Sequence, residues 1–236
     1  VLWFRSFLFA IGLAAVTLLA GLLSLVIWPL PYPTRYRILV NWARFTIWWL
    51  GVTCAVRYQI EGLEHVPETA SIILSKHQSA WETIAFQVIF PRQVWVMKRE
   101  LAWIPFFGWA LALLNPITIN RKKIHQSRRQ IIQQGRETLA AGNWVVIFPE
   151  GTRVAPGERK SYGLGGALLA ENTHYPVLPI AHNAGKLWPR QGFIKKPGTV
   201  RIVIGPAIDP YGKSAREINT QVEAWIEQTM LRLNPL

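Results

Sequence analysis

From Ser6 to Leu30 the chain runs 25 residues without a formal charge, between Arg5 on one side and Arg35 and Arg37 on the other. Wound as a helix, such a stretch is about 37 Å long, against roughly 30 Å of bilayer hydrocarbon. It can span with tilt, or fold back as two shorter segments around Gly21. A signal peptide is the competing reading, because one also begins with a basic residue and an apolar core. Against it, the run is long for such a core, and no small-x-small cleavage site precedes Pro31-Tyr32-Pro33. A second segment, Ile38 to Val56, carries Arg44 with Trp42, Trp48 and Trp49. Arginine and tryptophan favour the headgroup interface, so this segment is expected in or just beneath it.

The net charge is +13, and the first 58 residues hold five basic residues and no acidic one. Such a balance suits anionic lipid, acidic substrates or nucleic acid, and the apolar run turns the choice toward membrane lipids. Five of the twelve tryptophans precede Tyr58, in the membrane part, so no nucleic-acid partner is expected. Because Arg35, Arg37 and Arg44 outnumber Arg5, the domain that follows is expected to face the cytoplasm. Cys54 is the only cysteine, which excludes an intrachain disulfide and a cysteine zinc cluster.

After about Tyr58 the apolar runs give way to short β-type runs alternating with helical stretches, the α/β signature. This places membrane-anchoring helices in residues 1–58 and an α/β catalytic domain in 59–236. Strands are expected over Ser71 to Leu74, Val94 to Met97, Ile117 to Ile119, Trp144 to Phe148, Val177 to Ala181 and Val200 to Ile204. Helices are expected over Ala80 to Phe90, Leu101 to Leu114, Lys122 to Ala141, Gly165 to Glu171 and Ser214 to Leu233.

His77 and Glu82 are the candidate catalytic residues. Five residues advance about 500° around an α-helix, which leaves the two side chains roughly 140° apart, so they cannot share one helical face. If they meet, His77 precedes the helix and Glu82 sits in its first turn. Ser79-Ala80-Trp81-Glu82 has the S-x-x-E form of a capping box, with Ser79 as N-cap, which supports that placement. Two readings stay open. Glu82 closes the capping box and His77 is an ordinary loop histidine, or neutral His77 removes a proton from a hydroxyl attacking a thioester while Glu82 orients its ring. A carboxylate has two oxygens, so the readings are compatible. The chain has no H-E-x-x-H, no G-x-S-x-G and no G-x-x-x-x-G-K-[ST], and Gly163-Leu164-Gly165-Gly166 reads as a turn.

The second cluster is Phe148-Pro149-Glu150-Gly151-Thr152-Arg153, at the end of an apolar strand run. Open α/β sheets bind ligands at such strand ends. Pro149 and Gly151 turn the backbone, Thr152 offers a hydroxyl, and Arg153 can grip phosphate with two parallel hydrogen bonds. Arg121, after the Ile117 to Ile119 strand, can complete an anion pocket. Lys123, Arg128, Arg129 and Arg136 read mainly as solvated or membrane-facing. Lys98 opens the apolar stretch Leu101 to Gly108, which is either core or the wall of a slot for an acyl chain, and Lys98 joins the candidate substrate-binding residues Arg121, Glu150, Gly151, Thr152 and Arg153.

These residues resemble the glycerolipid acyltransferase family, in particular its bacterial 1-acylglycerol-3-phosphate acyltransferase branch, over roughly Val66 to Pro210. His77 and Glu82 match the family's histidine-x4-aspartate motif, Arg121 its second block, Phe148 to Arg153 its F-P-E-G-T-R block, and Pro176 to Ile180 its fourth. The resemblance implies a mixed β-sheet flanked by helices on a membrane-embedded N-terminal helical segment. It implies transfer of an acyl group from acyl-CoA or acyl carrier protein to lysophosphatidic acid, with no metal and no cofactor. Glu82 stands where the family usually has aspartate. Alternatives are another acceptor, such as a lyso-ornithine lipid, or a non-catalytic basic membrane-binding protein.

Overall fold

The computed structural model describes residues 1–120 and 123–233. The chain begins with two long helices, α1 (Leu2–Ile27) and α2 (Tyr32–Cys54), joined through Pro29 and Pro31. It continues as β1 (Val56–Glu61), β2 (Ile72–Ser75), α3 (Trp81–Ile89), β3 (Gln93–Lys98), α4 (Phe107–Ala112), β4 (Ile117–Ile119) and α5 (Ile124–Ala140). Then follow β5 (Trp144–Ile147), α6 (Gly165–Thr173), β6 (Val177–His182), the single turn α7 (Ala184–Leu187), β7 (Gly198–Ile204) and α8 (Ala215–Leu233).

Among the described residues the strands form one mixed sheet in the order β1-β7-β6-β2-β5-β3-β4. The five from β6 to β4 run parallel, β7 opposes β6, and β1 follows β7. Ile72, Ile73 and Leu74 on β2, with Val145 and Val146 on β5, are at most 1% exposed. That continuous burial is what a strand covered on both faces requires. Because the five strands are parallel, the residues after β2, β3, β5 and β6 all emerge at one edge. His77, Lys98, Phe148 and His182 therefore reach the same edge although they lie far apart in sequence.

The expected strands all form, with ends displaced by at most two residues. Four readings change. First, β1 was not foreseen: Val56 and Arg57, taken with the N-terminal helices, begin an edge strand beside β7. Second, α1 runs unbroken through Gly21, so it does not fold back there. Gly21 serves packing instead, because a Cβ there would collide with Phe106. Third, the expected helix Leu101 to Leu114 is broken. A 3₁₀ turn, Arg99–Trp103, is followed by an extended Ile104, and α4 begins only at Phe107. Pro105 is the cause, since its ring disfavours a helical residue before it. Fourth, Ser79 is not the residue that starts α3; the helix begins at Trp81, with Ala80 before it.

α1 has the length and hydropathy of a membrane span, alone among the described helices. It nevertheless touches the α/β part at both ends. Near its start Ser6 Oγ accepts the Lys195 N–H at 2.9 Å, and the buried Phe9 ring meets Trp188 edge-on at 5.2 Å. Near its end Gly21 abuts Phe106. Its middle packs on α2, where Trp42 Nε1 donates to Thr17 Oγ1 at 2.9 Å and Trp49 Nε1 to the Leu8 carbonyl at 3.1 Å. The opposite side exposes Leu19, Leu25 and Val26 by more than half.

Candidate active site

β2 delivers His77 to the sheet edge one residue after Lys76. The His77 ring donates from Nδ1 to Glu82 Oε1 at 2.8 Å and stacks on Phe148 with centroids 3.9 Å apart and planes 10° from parallel. Its backbone is held as well: the N–H donates to Glu150 Oε2 at 2.7 Å and the carbonyl accepts from the Val154 N–H at 2.8 Å. The loop after β5 therefore grips the histidine main chain while α3 grips its ring.

Glu82 is fully buried in the first turn of α3. A single oxygen serves both the turn before α3 and the histidine ring: Oε1 accepts His77 Nδ1–H, the Gln78 N–H at 2.8 Å and the Ser79 N–H at 2.7 Å. Ser79 completes the turn in its own way, with its hydroxyl accepting from Trp81 N at 3.1 Å and donating to the Trp188 carbonyl at 2.6 Å. Burial pushes the Glu82 carboxyl up, but His182, His77 and the Ser79 N–H together outweigh it and hold it below the ordinary carboxylate range. Glu82 is thus an anion at neutral pH and can only accept, so Nδ1 of His77 is the protonated nitrogen in that hydrogen bond and Nε2 is the ring's other nitrogen.

His182, at the end of β6, is buried behind the dyad with Nε2 4.0 Å from Glu82 Oε1. It donates from Nε2 to the Lys76 carbonyl at 2.8 Å and accepts the Ala184 N–H at Nδ1 at 3.3 Å. Those partners define the neutral tautomer, and burial lowers its pKa in the same sense.

His77 opens onto a cavity of about 970 Å³. Its inner wall is apolar, drawn from Leu13 of α1, Leu39 of α2, Ile84 of α3 and Leu111 of α4. The lining also includes the cationic Lys98, Arg128, Arg153 and Arg190. Of the residues named from sequence, Lys98, Gly151, Thr152 and Arg153 line this cavity together with His77. Gly151 sits at φ +67°, a conformation for which glycine is suited. Arg121 lies outside the described residues. Glu150 departs from expectation: it is 2% exposed and turned inward, with Oε1 2.6 Å from Lys76 Nζ, so it holds the histidine loop and does not face the cavity. Arg128, grouped above with solvated residues, is a lining residue. Arg190, Lys76 and His182 were missed. Arg190 Nη1 donates to the Arg153 carbonyl at 3.1 Å, fixing that loop. The signal for His182 was available, as a polar residue closing a wholly apolar strand at the same edge.

A histidine paired with a buried carboxylate, lining one cavity with apolar side chains and four cations, is an arrangement suited to an enzyme acting on amphiphiles. Comparison with known proteins agrees. The family described as Acyltransferase matches residues 57–183, and the chain belongs to it. It is 48% identical to a 1-acyl-sn-glycerol-3-phosphate acyltransferase of Pseudomonas aeruginosa, over 98% of this chain and 92% of that one. A 1-acyl-sn-glycerol-3-phosphate acyltransferase of Cocos nucifera is 25% identical over 90% of this chain and 69% of its own. The crystal structure of the 1-acyl-sn-glycerophosphate (LPA) acyltransferase PlsC from Thermotoga maritima shares the fold, with a TM-score of 0.81 at 22% identity. That likeness covers 99% of this chain and 96% of the other.

Proposed function

We propose that this enzyme transfers an acyl group from a thioester, acyl-CoA or acyl carrier protein, to the sn-2 hydroxyl of 1-acylglycerol-3-phosphate, forming phosphatidic acid for phospholipid synthesis. The observation that carries this reading is His77 itself, anchored at Nδ1 by an ionised Glu82 and lining the cavity with Lys98 and Arg153. In the reaction the acceptor hydroxyl oxygen bonds to the thioester carbonyl carbon as its proton passes to His77 Nε2. Glu82 stabilises the imidazolium that results. The tetrahedral intermediate then collapses by breaking the C–S bond, and the proton leaves on the thiol. The acyl group arrives activated, so the step balances without metal or prosthetic group.

In this reading Arg153 and Lys98, with Arg121, bind the acceptor phosphate, where a guanidinium makes paired charge-assisted bonds. Gly151 and Thr152 shape that loop. The apolar wall takes the hydrocarbon. The N-terminal hairpin lies in the membrane with its exposed leucines and valines toward lipid. Because both ends of α1 rest on the α/β part, we read it as embedded along one leaflet, at the cytoplasmic face of the inner membrane.

The test is a panel of lysolipids assayed with purified protein, each with acyl-CoA and with acyl carrier protein. The fastest transfer is expected with 1-acylglycerol-3-phosphate. A clear preference for an acceptor without phosphate, such as a lyso-ornithine lipid, refutes the assignment.

A further inference from the structure

Directly behind the catalytic loop lies a buried charged group that the chemistry above does not use. Lys76 precedes His77 and is 1% exposed. Its ammonium stands 2.6 Å from Glu150 Oε1 and 2.8 Å from Glu227 Oε1, the latter on α8 and 151 residues away in sequence. Tyr162 donates its hydroxyl to Glu227 Oε1 at 3.0 Å, and Arg159 reaches Glu227 Oε2 from the surface at 3.3 Å. The charges balance: Lys76 and Arg159 against Glu150 and Glu227. Residue 76 is also fixed in its main chain, with its N–H donating to the Ile180 carbonyl at 3.0 Å and its carbonyl accepting from His182.

A buried ion pair is a poor way to gain stability, since apolar residues of similar volume often do as well or better. Its position suggests another use. Glu150 spends one oxygen on the Lys76 ammonium and the other on the His77 N–H, so the chain of contacts from Glu227 ends on the catalytic residue. We infer that Lys76 and Glu227 are positioning residues for acyl transfer: Glu227 seats the Lys76 ammonium, the ammonium holds the Glu150 side chain, and Glu150 fixes the His77 main chain and thereby aims the ring. Burial pushes the Glu150 carboxyl up, and Lys76 is the first influence opposing it. Without the ammonium that opposition is lost, and the Glu150 side chain that accepts the His77 N–H loses its 2.6 Å partner. Tyr162 stays a neutral donor, pushed up by burial and by both glutamates.

The inference rests on His77 being the base, and His77→Ala in the same assay reports on that separately. Lys76→Met, Glu227→Gln, Glu150→Gln and the double variant Lys76→Met/Glu150→Gln are compared with wild type in detergent, with folding checked by thermal unfolding. A slight misplacement of a reacting group can cost up to ~10²-fold, and each single variant is expected to lose roughly tenfold in kcat with either KM changed less than about twofold. The double variant is expected to be no slower than the slower single one, because Lys76 acts through Glu150. Where Lys76→Met does not fold, Glu227→Gln carries the test, since it removes the charge that seats the Lys76 ammonium while leaving Lys76 and Glu150 themselves in place. If His77→Ala abolishes transfer while folded Glu227→Gln keeps the wild-type kcat, this inference fails and the assignment of the base stands. Losses that multiply in the double variant, or that fall on KM alone, overturn it too. Transfer surviving in His77→Ala would overturn the underlying reading instead.

Discussion

On the sheet side of the cavity His77 is held at its ring, its N–H and its carbonyl by Glu82, Glu150 and Val154. On the helical side, Leu19, Val26 and Trp28 stand more than 60% exposed on the outward face of α1 or just beyond its end. The two sides fail differently. Hydrogen bonds are directional, so a polar site fixes atoms within narrow limits, and one lost partner strands another. Apolar contact is not directional, so a lipid-facing surface is specified by composition and tolerates exchange. Substitutions should therefore cost turnover steeply on the first side and hardly at all on the second.

The sharpest break in that contrast is His77→Ala. Removing a general base typically costs 10² to 10⁴ in rate, so kcat should fall by about 10³-fold with the unfolding temperature little changed. Transfer close to wild type would remove His77 from the chemistry. Glu82→Gln comes next, with a loss of about 10²-fold, since the neutral amide no longer stabilises the imidazolium. Glu82→Asp keeps the charge and should lose less; equal damage from both reduces Glu82 to a turn-holding role. Glu82 also marks stability. Its carboxyl is held low in the folded state, so the wild type's margin over Glu82→Gln is full above about pH 4.3, the unfolded value, and is lost as pH falls through the lower folded value. Thermal unfolding of both proteins across that range checks the sign, and a margin that grows on acidification contradicts it.

Arg153→Ala should act through binding. Loss of a charge-assisted contact is worth roughly 10-fold or more in acceptor KM, with the thioester KM nearly unchanged. The reverse pattern would move Arg153 to the donor side. The smallest effect belongs to the helical side: Leu19→Ser with Val26→Ser should alter stability in detergent by no more than about 0.5 kcal/mol each. The same pair should weaken binding to lipid vesicles, and vesicle binding equal to wild type would separate this face from the membrane.

Much of this arrangement was legible in the sequence because it is local. The dyad spans five residues and a capping pattern, so the geometry of one helix start was enough to place His77 outside and Glu82 within. Strands buried on both faces announced themselves by unbroken apolar runs, as Trp144–Ile147 does. What was missed depends on partners distant in sequence. β1 is largely polar, with Arg57, Tyr58 and Gln59 exposed, and only its pairing with β7 makes it a strand. Glu150 read as a ligand-facing residue because spacing says nothing about which way a side chain turns. Its direction is set by Lys76, and Lys76 in turn answers to α8. Pro105 was visible throughout, but the apolar residues on both sides of it disguised a break as one helix.

The docking of α1 at both of its ends has a practical consequence. Leu13 and Thr17 face the cavity while Leu19 and Val26 face outward, so a single helix is both tether and container. Deleting the hairpin to obtain a water-soluble enzyme would remove one wall of the vessel and leave the cavity beside His77 open to water.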